Sequence, residues 1–185
     1  MYTLPSLTLH EAVPGHHLQG AVTAELKDLP EFRNNYYISA FGEGWGLYSE
    51  YLGEEMGMYS TPYEIFGRYT YEMWRACRLV VDTGIHSKGW SRDQALKFLS
   101  ENTALSLHEV TTEIDRYIGW PGQALSYKIG EIKIKNLRKL AETALAQEFN
   151  IGEFHQAILE NGSVPLIVLE ERINKYIDSK LAENQ

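Results

Sequence analysis

Thr8-Leu9-His10-Glu11-Ala12-Val13-Pro14-Gly15-His16-His17-Leu18-Gln19 is the stretch on which the reading of this chain turns. Between His10 and His17 it holds three imidazoles and a carboxylate. Neutral imidazole is the commonest protein ligand for zinc and similar metals, and a neighbouring glutamate is the usual base for a metal-activated water. The residue types therefore point to a metallohydrolase, with His10 as one ligand and Glu11 as the base.

The spacing sets a condition on that reading. In the helical motif His-Glu-x-x-His the two histidines stand four residues apart, so both rings reach one metal. Here the fourth residue after His10 is Pro14, and the later imidazoles, His16 and His17, follow at six and seven. On an unbroken helix those positions lie roughly 9 and 10.5 Å along the axis. Proline removes a helical N–H and clashes with the preceding turn, so the helix, expected over about residues 6–26, should kink or bulge between Glu11 and His16. A two-residue bulge would bring His10 and His16 to a shared site; a different bulge would present His17 instead.

So spaced, His10-Glu11-Ala12-Val13-Pro14-Gly15-His16 resembles His-Glu-x-Gly-His of the carboxypeptidase Taq and thimet oligopeptidase families, with two residues inserted before Gly-His. The full wording, from His10 through His17-Leu18-Gln19, is similar to the bacterial family known as domain of unknown function 885, whose members are generally taken to be peptidases. The resemblance covers nearly the whole chain. It implies a gluzincin-like fold and a peptide substrate, and since family members carry several hundred residues before the motif, it also implies that this is a C-terminal catalytic portion. Its N-terminal complement would then be absent, and the surface left behind is a candidate for pairing with a second copy.

Outward from the motif, Phe41-Gly42-Glu43-Gly44-Trp45-Gly46 places three glycines around one glutamate. Glycine costs about 1 kcal/mol against alanine inside a helix, so close approach of backbone or metal is the better reason for them. Glu43 is accordingly the third candidate ligand, completing a two-histidine, one-carboxylate zinc set. Glu50 lies two helical turns on, on the same face, where it would hold a ligand imidazole by its other N–H, unless it is a solvated surface carboxylate. The carboxypeptidase Taq resemblance agrees, since its ligand glutamate is followed seven residues later by another.

Further along, a helix is expected from Pro62 to about Thr83, with Ile65, Tyr69, Met73, Ala76 and Val80 near helical spacing and Tyr69, Tyr71 and Trp74 in the core. Gly84 is its expected stop. His86 would either donate to an oxyanion or satisfy a buried carbonyl, and Arg75 and Arg78 are either carboxylate binders or structural. Helices follow from Ser91 and Ser106, and then the stretch from Arg116 to Gly130 breaks the pattern at Gly119, Pro121 and Gly122. Tyr127, which resembles the tyrosine after the proline-containing turn of the related peptidases, is the candidate oxyanion donor, with Arg116 and Gln123 as substrate contacts. The remaining helices span about 126–149, 151–160 and a final amphipathic stretch to about Leu181. No alternating strand pattern of useful length appears, so the class is all-α, in one domain over 1–185.

Composition excludes several partners. A net charge of −8 without a basic cluster argues against nucleic acid. No apolar run approaches the ~20 residues of a membrane span, and the single cysteine, Cys77, excludes an internal disulfide and a cysteine-based zinc site. Compartment stays open. Two other readings compete with the zinc peptidase: a non-catalytic helical module with an incomplete site, and a hydrolase of esters or amides other than peptides.

Overall fold

A computed structural model describes residues 2–27, 29–34 and 36–183, and all regular structure among them is helical. Ten α-helices follow in order: α1 Leu4–Glu11, α2 His16–Glu25, α3 Glu31–Asn34, α4 Ser39–Glu55, α5 Pro62–Lys88, α6 Arg92–Asn102, α7 Leu107–Gly119, α8 Gln123–Leu145, α9 Ile151–Leu159 and α10 Leu166–Glu183. The all-α expectation holds. By residue type Lys27-Asp28-Leu29-Pro30 reads as the exit of the motif helix and Asn34-Asn35 as a turn or cap; of these, Asp28 and Asn35 lie outside the described residues.

The starts of the helices follow from local chemistry. Thr61, Ser91 and Ser106 each accept the backbone N–H three residues on, while Glu64, Gln94 and Glu109 return the bond to the cap's own N–H. One stop differs from expectation, for α5 runs through Gly84 to Lys88 and ends at Gly89, whose φ of 69° needs glycine. Gly84 is spent on packing instead, because a Cβ there would lie 2.5 Å from the Trp90 ring.

Two cores result. Phe41, Trp45, Tyr48 and Leu52 of α4 meet Ile134, Leu137, Ala141 and Leu145 of α8, both sets at three- and four-residue spacing, and α9 and α10 close over them with Phe154, Ile158, Leu169 and Ile173. Cys77 and Val81 of α5 pack with Leu99, Val110, Ile114 and Tyr117 in the second. The α4–α8 seam is glycine-lined: a Cβ on Gly44 would stand 2.5 Å from the Gly130 Cα, and one on Gly130 would overlap the Ala40 carbonyl oxygen.

The apolar stripe on α5 points the opposite way from the expectation. Ile65, Tyr69, Met73 and Val80 are exposed, while the buried face carries Arg68, Arg75, Arg78 and Asp82. Tyr71 and Trp74 are half-buried and lie against arginines, and Trp74 also packs on the second core, as expected. The stripe points outward because carboxylates of α4 and α7 occupy the inward face of α5: Arg75 pairs with Glu50 and Arg78 with Glu113. Apolar periodicity therefore marks the outer side.

His155 of α9 packs among Trp45, Tyr48 and Phe154, with its Nε2 2.9 Å from the Tyr48 hydroxyl. Burial, aided by nearby Arg138, pushes this imidazole down to about 4 from an ordinary 6.5.

Gly130→Ala should cost about 1–3 kcal/mol or more by overpacking, whereas Gly20→Ala, in α2 with open space around it, should gain up to about 1 kcal/mol; urea denaturation reads both. Between pH 6.5 and 4 the unfolded chain protonates His155 and the folded one does not, so this group removes roughly 3 kcal/mol of stability as pH falls through that window. His155→Gln should flatten that part of the stability–pH curve.

Candidate metal centre

The motif is carried by two helices rather than one bulged helix. α1 ends at Glu11, residues 12–15 form a turn containing a cis Val13–Pro14 peptide bond, and α2 begins at His16. The Trp45 indole holds this turn by donating to the Pro14 carbonyl at 2.7 Å. Gly15 is required because a side chain there would overlap the carbonyl oxygens of His10 and Leu9. A four-residue reversal thus does what a bulge was expected to do: the His10 and His16 rings stand 4.8 Å apart, edge to face at 85°.

α4 brings the third group. Glu43 Oε2 lies 3.6 Å from His10 Nε2 and 3.3 Å from His16 Nε2. Ligand atoms on one tetrahedral metal, at bond lengths of about 2.0–2.2 Å, stand ~3.3 Å apart. Nitrogen and oxygen atoms of these three residues all fall within 4.8 Å of one another. The α4 glycines permit it, for a Cβ on Gly46 would sit 2.7 Å from the His10 ring, where the imidazole rests against the helix backbone.

The outer nitrogens are held as well. His10 Nδ1 is 2.8 Å from Glu50 Oε1, and His16 Nδ1 is 3.4 Å from Gln19 Oε1. With each Nδ1 donating outward, both Nε2 lone pairs face Glu43, the arrangement a metal-binding imidazole needs. Glu50 is fully buried, and its second oxygen accepts from Ser6 Oγ at 2.6 Å while Arg75 lies 3.2 Å from the first. Burial would raise this carboxyl, but Arg75, His10 and Ser6 outweigh it and hold it below the usual range. Glu43 is likewise opposed by burial yet drawn down to about 2 by His10 and His16. Burial lowers His10, and Glu43 and Glu50 more than reverse the effect. Glu43 and Glu50 thus favour positive charge on the His10 ring, and a cation bound at Nε2 would supply it in place of a proton.

The other predicted residues divide. Glu11 is exposed at the end of α1, next to His10 in the chain. Tyr127 stacks on His10 at 6.0 Å and 24°, and its hydroxyl accepts from Gln123 Nε2 at 3.4 Å. Gln123 in turn accepts from Arg116 Nη1 at 2.6 Å, so both predicted substrate contacts lead back to Tyr127. His86 is engaged elsewhere, its Nε2 2.9 Å from the Tyr117 carbonyl, and His17 is exposed, apart from the three converging groups. Ser6, Gln19 and Arg75 support the ligands without figuring among the supports expected from sequence. Ser6 and Gln19 stand one helical turn from His10 and His16, a spacing that would have flagged them. Arg75 gave no such local signal.

Comparisons place the chain among proteins without a described activity. A family model described as "Bacterial protein of unknown function (DUF885)" matches residues 1–173. A crystal structure described as a putative lipoprotein from Colwellia psychrerythraea shares 46% identity and a TM-score of 0.95, over 97% of this chain and 31% of that one. A putative lipoprotein of unknown function from Shewanella oneidensis shares 25% identity and a TM-score of 0.84, over 92% and 31%. This chain thus spans about a third of the length of these solved relatives. No curated protein matches it.

The geometry predicts that His16→Ala abolishes binding of one divalent ion per chain and His17→Ala does not, while Glu50→Gln weakens it about 10–100-fold, all read by calorimetric titration with zinc. Full stoichiometry in His16→Ala would mean that another residue supplies the second imidazole.

Proposed function

The chain belongs to the DUF885 family of bacterial proteins of unknown function, and from that premise we propose that it carries the centre of a zinc-dependent peptidase. The observation that carries this reading is the convergence of His10, His16 and Glu43 with both outer imidazole nitrogens already held. The donor set is the two-histidine, one-carboxylate set of hydrolytic zinc sites. Zinc held there would act as a Lewis acid and acidify a bound water. Glu11, exposed beside the centre, takes the proton from the attacking water and returns it to the leaving amine. Tyr127 donates to the developing oxyanion, and Arg116 and Gln123 orient the substrate backbone around it. The buried pair of Glu50 and Arg75 keeps the His10 ring fixed while charge changes on the substrate side.

Among the described residues no helix is long and apolar enough to cross a membrane. The Colwellia and Shewanella relatives are each described as a putative lipoprotein, which favours a place at the cell envelope over the cytoplasm. A second reading, a helical module that acts only in association with more polypeptide, draws support from the exposed α5 stripe and the one-third coverage of the relatives. A quenched-fluorescent peptide library separates the readings. Zinc-loaded protein should cleave peptides, and Glu11→Gln should lower kcat by about 10²–10⁴-fold with its zinc content unchanged. Zinc bound without cleavage of peptides would favour the module, and cleavage of esters alone would move the substrate class.

A further inference from the structure

Glu113, Arg116 and Tyr117 share one face of α7 at three- and four-residue spacing. The half-buried Glu113 carboxylate draws three side chains together there. Its Oε2 accepts from Arg78 Nη2 of α5 at 2.9 Å, from Arg116 Nη2 at 2.8 Å and from the Tyr117 hydroxyl at 2.7 Å. Its Oε1 accepts from Arg116 Nε at 3.1 Å.

Two routes lead from this carboxylate to Tyr127. The first ends on the hydroxyl. Arg116 can only donate, so the Gln123 side-chain oxygen must face its Nη1, at 2.6 Å, and the amide nitrogen is thereby turned to the Tyr127 oxygen at 3.4 Å. A phenol has one hydrogen and two lone pairs, and with Gln123 donating to the oxygen that hydrogen stays available to an acceptor outside this chain of bonds. The second route ends on the ring. The Arg78 guanidinium lies 4.4 Å from the centre of the Tyr127 ring and 4.2 Å from that of Trp74, while its Nε donates to the Tyr117 hydroxyl at 2.8 Å. A network that only tied α5 to α7 would close on Glu113, Arg78 and Tyr117. The bond from Gln123 carries it on to a tyrosine stacked on His10.

We infer that Glu113 is a positioning residue for Tyr127, setting its hydroxyl through Arg116 and Gln123 and its ring through Arg78. The inference rests on the proposed peptidase centre, with Tyr127 as its oxyanion donor.

Peptide cleavage by the zinc-loaded chain, with calorimetric zinc titration and thermal denaturation of each variant, tests it. Glu113→Gln should lower kcat about 10-fold or more, with KM and zinc affinity within about twofold of wild type. In a Tyr127→Phe background the same substitution should change kcat by less than about twofold, because the group it positions is gone. Arg116→Gln, which leaves Glu113 paired with Arg78, should lower kcat likewise and only when Tyr127 is present; it carries the test if Glu113→Gln fails to fold. Arg92→Gln, which breaks an exposed ion pair to Asp115 on the same helix, should leave kcat unchanged. Equal losses in the two backgrounds, or a kcat within about twofold of wild type, would overturn the inference while wild-type cleavage kept the centre standing. Wild-type protein that cleaves no peptide would overturn the peptidase reading, and the inference with it.

Discussion

The Glu50 carboxylate is the point through which the rest of the site is held. It is buried on α4, accepts from Ser6 and His10 of α1, and pairs with Arg75 of α5. Its own backbone carbonyl accepts from the Tyr59 hydroxyl at 2.7 Å, which anchors the far end of the same helix. Removing one partner from such a buried set typically costs 3–5 kcal/mol, because the remaining charge has no water to turn to. Arg75 is accommodated by aromatic faces as well as by charge, its guanidinium 4.4 Å from the Tyr71 ring centre and 4.8 Å from that of Trp74. The helices that bear His10 and Glu43 therefore cannot move independently.

Around that anchor, glycine decides how closely things approach. Gly46 admits the His10 ring, Gly44 admits the backbone of α8, Gly42 admits Tyr37, and Gly15 lets the chain double back over the end of α1. Three different neighbours thus account for the three glycines around Glu43. The reversal at 12–15 has the further effect of leaving Glu11 at a helix end, open to whatever approaches the centre, while His10 beside it faces inward. The proposed base and ligand are thus neighbours in the chain, one facing out and the other in.

Much of this was legible in residue order. Capping residues and three-to-four spacing marked most helices, and the two-histidine motif with a glycine-flanked glutamate named residues that the fold brings together. What escaped was set by tertiary contacts. The α5 stripe of Ile65, Tyr69, Met73 and Val80 reads as core because periodicity reports amphipathicity without its sign, whereas the inward face carries Arg75 and Arg78 to Glu50 and Glu113 beside the apolar Cys77 and Val81. Gly84 reads as a stop by propensity, yet the ring of Trp90 claims its open side.

The central claim is that His10, His16 and Glu43 bind one metal together. Zinc-edge X-ray absorption of the protein loaded with one equivalent of zinc tests it most directly. The account predicts a first shell of two imidazole nitrogens and light oxygen donors at about 2.0–2.2 Å, and loss of that bound zinc in His16→Ala. A shell of oxygens alone, or a wild-type spectrum unchanged by His16→Ala, would contradict it.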